Sequence, residues 1–143
     1  MISTEVLEDT VNKDEISTTI DRFGVQLILV ADDLASDLRP YIYTIGLHRR
    51  GMPEVIAFAD DEEQLNAIGE TLSRIALRDR PIAPGERLKI GGETLVAAIP
   101  DAELDALLHQ HCLIEARAYY RVSHLDLLVL ARERELKGPS RLH

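Results

Sequence analysis

Apolar residues along this chain recur with a period of about two in some stretches and about 3.6 in others, and the switching between them lays out a series of strands and helices. Ile16, Ile20 and Phe23 share one helical face, with Asp14 and Glu15 at its start and Gly24 at its end. Val25–Val30 follows as a compact apolar run, too short for a second helix, and Ala31–Pro40 reads as an acidic, irregular connection. Tyr41–Leu47 and Val55–Phe58 are dense in β-branched and aromatic residues and read as strands. Asp60 and Glu63 have capping-box spacing ahead of Leu65, Ile68, Leu72 and Ile75, an apolar stripe that predicts a helix over 61–78. Leu88–Ile90 and Thr94–Ile99 flank Gly91-Gly92, a two-residue hairpin signal. Pro100-Asp101 opens a second long helix, 101–120, carrying Leu104, Leu107, Leu108, Ile114 and Ala118, and Leu125–Leu130 reads as a buried strand.

The order α-β-β-β-α-β-β-α-β predicts one α+β domain over 1–143, a mostly antiparallel sheet covered by two main helices. The expected core comprises Leu27, Leu29, Ile45, Val55, Ile56, Leu65, Ile68, Leu72, Ile75, Leu95, Leu104, Leu108, Leu127 and Val129. Residues 1–12 and 132–143 are polar and are expected to be flexible ends.

At 143 residues the chain is long enough to bury a core of this kind. Its net charge is −9, with the excess acid in the first half, and it has no Trp, so neither phosphate-backbone binding nor base stacking is expected. Nucleic acid is therefore excluded as a partner. The single cysteine, Cys112, rules out an intrachain disulfide and a multi-cysteine metal site. No apolar run reaches the roughly 18 to 20 residues of a membrane helix, and no secretory pattern stands at the start, so a cytoplasmic protein without membrane contact is expected.

The two strands around residue 50 organise the rest. Gly46 lies inside the first, where a missing side chain signals a bulge or a close backbone approach, and Gly51 and Pro53 punctuate the connection. Tyr43-Thr44-Ile45-Gly46-Leu47, a short spacer and Gly51-Met52-Pro53-Glu54-Val55 resemble domain-of-unknown-function family 4262, a bacterial family. There an aromatic-Tyr-Thr-Val/Ile-Gly-Leu strand precedes Gly-His-Pro-Glu. The resemblance runs from about residue 20 to 130, through Pro84-Gly85-Glu86-Arg87 and a helix ending near Ala118-Tyr119-Tyr120. Met52 stands where the family often has histidine, and Leu125–Leu130 lacks the family's usual glutamine and following Trp-Pro-Asp. The resemblance implies a fold and no established activity.

Within this frame, His48, Arg49, Arg50 and the Gly51 backbone, with Tyr43 and Glu54, are the candidate binding residues, since two guanidiniums beside exposed N–H groups suit a carboxylate or phosphate. A solvated loop is the competing account. Arg117, Tyr119, Tyr120 and Arg121 form a second candidate interface at a helix end. No metal is expected: His109 and His111 are two apart on a helix and diverge, and Cys112, read as mid-helix, has no dipole to stabilise a thiolate. His111, in the row Leu107, His111, Ile114, Ala118, is read as the histidine at the edge of the core.

The chain has no phosphate-binding loop, His-Glu-x-x-His or Gly-x-Ser-x-Gly, and no cofactor is implied. The reading this favours is a non-catalytic binding or regulatory module for a protein or small anionic partner. The alternative is a small or degenerate enzyme with its site at Tyr43, His48, Arg49, Arg50 and Glu54. The acidity of the first half suggests a third, an immunity-like protein. Oligomeric state is not encoded in any pattern here.

Overall fold

A computed structural model describes residues 2–4, 13–30, 39–78 and 80–137. The elements are β1 (Ile2–Thr4), α1 (Lys13–Phe23), β2 (Gln26–Val30), β3 (Tyr41–Ile45), β4 (Glu54–Phe58) and α2 (Glu62–Ile75). They continue with β5 (Arg87–Ile90), β6 (Glu93–Ala98), α3 (Ala102–His111), α4 (Ile114–Tyr120) and β7 (Leu127–Ala131), with short 3-10 turns at His48–Arg50 and Glu133–Lys137. Among the described residues seven strands form one sheet in the order β1-β2-β3-β4-β7-β6-β5. Its pairings are antiparallel except β1 with β2 and β4 with β7, so the α+β reading holds.

Both faces of the sheet are covered. Val55 and Ala57 of β4 pack with Leu65, Ile68, Leu72 and Ile75 beneath α2. Ile56 and Phe58, alternating with them, pack on the other side with Ile16 and Ile20 of α1, Leu104 and Leu108 of α3, and Ala116 of α4. The expected core residues are buried except Leu29, which is partly buried against the α2 layer.

Local chemistry explains most boundaries. The α2 cap is Asp61, whose side chain accepts from Gln64 N–H at 2.8 Å, one residue later than the expected Asp60/Glu63 pair. Gly91 and Gly92 both take positive φ, +59° and +83°, in the two-residue turn joining Ile90 to Glu93.

Elsewhere the structure departs from the pattern. The predicted helix 101–120 breaks in two: Cys112 is extended at the end of α3, and Leu113 enters the left-handed region at φ 63° before α4. Cys112 is thus not a mid-helix residue, although it is fully buried. The break also ends the row assigned to His111, which is exposed; the buried histidine is His109. Of the ends expected to be flexible, Ile2–Thr4 pair with β2, and Arg132 ties β7 to Asp60 and Glu93 at 2.8 and 2.9 Å. The rest of 1–12, residues 138–143, and 31–38 of the acidic connection lie outside the described residues.

Candidate functional site

The residues that organise the sequence build a chamber for one carboxylate. The ladder between β3 and β4 stops at Tyr43 opposite Ile56. Beyond it the Thr44 hydroxyl takes over a strand's role, accepting the Val55 N–H at 2.9 Å and donating to Glu54 Oε1 at 2.7 Å. Gly46 then turns the chain at φ +133°, ending the strand two residues sooner than expected. Glycine is required there twice over, since a Cβ would also stand 3.0 Å from the Gly24 carbonyl oxygen.

That turn points successive backbone N–H groups inward. Gly46 and His48 donate to Glu54 Oε2 at 3.1 and 3.2 Å, and Leu47 donates to Oε1 at 3.2 Å. The Tyr120 hydroxyl, at the end of α4, donates to Oε2 at 2.5 Å and accepts the Gly46 N–H at 2.6 Å. Glu54 therefore accepts five hydrogen bonds with none of its surface exposed, while its own N–H bonds the Asp126 carbonyl at 2.9 Å. Burial pushes the carboxyl above its ordinary range, against the pull of Tyr120, Thr44 and the His48 and Gly46 amides. Burial and the neighbouring Glu54 charge push the Tyr120 phenol up as well, so it stays protonated. This nest of N–H groups would suit an anion from outside, and the chain's own carboxylate fills it.

The other candidate residues are dispersed around this centre. Tyr43 is buried in the layer shared with α1 and α3. Arg49 reaches Asp21 of α1 at 3.4 Å, and Arg50 donates to the Ala76 carbonyl at the end of α2 at 2.8 Å. Met52 packs against the layer beneath α2. Of the second cluster, Arg117 donates to the His109 carbonyl, Tyr119 bonds Ser17 Oγ at 2.7 Å, and Arg121 is exposed in a left-handed conformation, φ 57°. The two clusters meet at Tyr120, which bonds Glu54 and has the His48 ring edge-on to it, centroids 4.7 Å apart. Thr44 and the three amides carry no signal in the sequence beyond Gly46, whose missing side chain signals a bulge or a close backbone approach.

A histidine cluster does form, keeping His109 from the residues weighed in the sequence but joining it to Asp105 and His124 in place of His111 and Cys112. Asp105, His109 and His124 bring their ligand atoms within 4.8 Å of one another. Leu125 N–H donates to His109 Nε2 at 2.9 Å, which leaves Nδ1 to carry the proton and donate to the Asp105 carbonyl at 2.9 Å. Both ring nitrogens are thus engaged, and a metal ion would have to displace one of those bonds. His124 stacks on His109 at 4.4 Å and bonds the Asp105 carboxylate at 2.8 Å. The trio joins α3 to the segment before β7.

A two-faced, mostly antiparallel sheet with an internal carboxylate between its third and fourth strands defines the architecture. The chain belongs to the family described as Domain of unknown function (DUF4262), whose model matches residues 19–134. No curated protein and no solved structure matches the chain. No helix among the described residues is long and apolar enough to cross a membrane.

Proposed function

We propose that this chain is a non-catalytic binding module that offers the His48–Arg50 turn and the end of α4 as one surface to an anionic group on its partner. The observation that carries this reading is the Glu54 carboxylate, fully buried and occupied by five donors of its own chain. A general acid or base must reach its substrate within hydrogen-bond distance, and Glu54 has no surface with which to do so. Its role is to hold the turn against Tyr120. The exposed cations left at that junction are Arg49, only weakly paired with an exposed Asp21, and Arg121.

Amide NMR of the labelled protein, titrated with inorganic phosphate and separately with a short acidic peptide, tests the proposal. Saturable shifts are expected at residues 47–51 and 119–121, weakening with salt. Arg49→Ala/Arg121→Ala should weaken binding roughly tenfold, as expected for loss of charge-assisted hydrogen bonds. Arg50 is left intact because it closes the end of α2. Shifts confined to other residues, or equal affinity in the double variant, would overturn the reading.

A further inference from the structure

A recess lies where β4 and β7 begin side by side. It has a volume of about 380 Å³, and its lining includes Pro53, Pro84, Ile99 and Pro100. This volume sits at the small end of ligand-sized pockets, about 300–1,000 Å³. Ile99 is 68% exposed, a large apolar side chain kept at the surface beside three prolines. Proline carries no N–H, so this wall has little hydrogen-bonding capacity and suits an apolar chain.

Two carboxylates line the same recess, Asp105 and Asp126. Asp105 is engaged by His124 at 2.8 Å. Asp126 uses its backbone carbonyl for Glu54, and its side chain makes no hydrogen bond or ion pair among the described residues. No lysine or arginine lines the recess. An apolar wall beside an unpaired anion, on a chain of net charge −9, fits a ligand with an aliphatic stem and a cationic head.

We infer that this recess binds a primary alkylammonium group, such as the end of a lysine side chain or a free aliphatic amine, with the stem on Ile99 and the prolines and the ammonium at Asp126. The site is separate from the turn surface proposed above, and its ligand carries the opposite charge.

The test is amide NMR with hexylammonium chloride, using 1-hexanol and hexanoate as matched probes of the stem alone and of the opposite charge. Saturable shifts at residues 126–128 and 102 are expected for hexylammonium, and weaker ones for hexanol. Asp126→Asn, an exposed substitution, should cut hexylammonium affinity about fivefold, the scale of an exposed ion pair, and leave hexanol unchanged. N-acetyl-lysine methylamide and a lysine-containing peptide then distinguish a free amine from a protein side chain: tighter binding of the peptide assigns a protein partner, tighter binding of hexylammonium a small amine. Equal binding of hexanol and hexylammonium, no change in Asp126→Asn, or no shift at these residues would overturn the inference.

Discussion

Glu54 is the residue on which the centre of the molecule turns, and the sequence showed only half of its role. An acid after Pro53 and a glycine inside a strand were both visible, and together they are the acceptor and the turn that presents its donors. Tyr120, the partner at 2.5 Å, lies 66 residues away, and no local pattern connects the two. The electrostatics make the site testable by pH. The folded carboxyl titrates above its ordinary value of 4.5 because burial disfavours the charge. The folded chain therefore holds this proton more tightly than the unfolded chain. The resulting stabilisation is fully present below 4.5 and is lost as pH rises through the folded value. Glu54→Gln abolishes that titration. Its deficit in urea midpoint relative to the native chain should be largest in mildly acid buffer and should shrink toward neutral pH. A deficit that grows with pH would mean that the five donors outweigh burial.

Among the elements, α2 was the most legible, because one apolar stripe facing one sheet surface is enough to define it. The region 101–120 was misread as a single helix for the opposite reason. No glycine or proline marks its break; the chain turns at Leu113 so that Cys112, Leu113 and Ala116 all enter the same core layer. Tertiary packing overrode local preference there, and the exchange of His109 for His111 as the buried histidine followed from it. The far end of α4 carries a related strain. Arg121 closes the helix with its N–H on the Arg117 carbonyl while in a left-handed conformation that glycine adopts more easily. Arg121→Gly should raise stability by about 0.5–1 kcal/mol in urea titration, the left-handed penalty less the entropy of glycine. It should also weaken, by less than the tenfold expected of the double variant, the anion binding proposed for this surface. A midpoint no higher than that of the native chain would show that residue 121 stores no strain.

Across the whole molecule, the features hardest to read were which way the strands face and how they are ordered. Every residue of β3 and β4 is buried, so the inward–outward alternation that would orient them is missing. The sequence predicts that 61–78 and 101–120 cover the sheet; α2 does so on one face, and α3 and α4 do so on the other. The polar end starting at Arg132 reads as a flexible end because charge alone does not reveal its partners. Arg132 and Arg39 in fact share Asp60 and Glu135, and Arg132 also holds Glu93, in a network at the far end of β4 from Glu54. The sheet order has a consequence for how this chain is made. Among the described residues β7 is the last strand, yet it lies between β4 and β6 and joins the strands of the first half of the chain to the β5–β6 hairpin. Until it emerges from the ribosome, β4 and β6 each present an open hydrogen-bonding edge flanked by bare apolar surface. Such an intermediate is prone to self-association and is a natural client for chaperones. A chain ending at residue 126 should elute as soluble multimers or precipitate and should show no cooperative melt. A monomer that unfolds cooperatively without β7 would mean that the two halves are independent folding units.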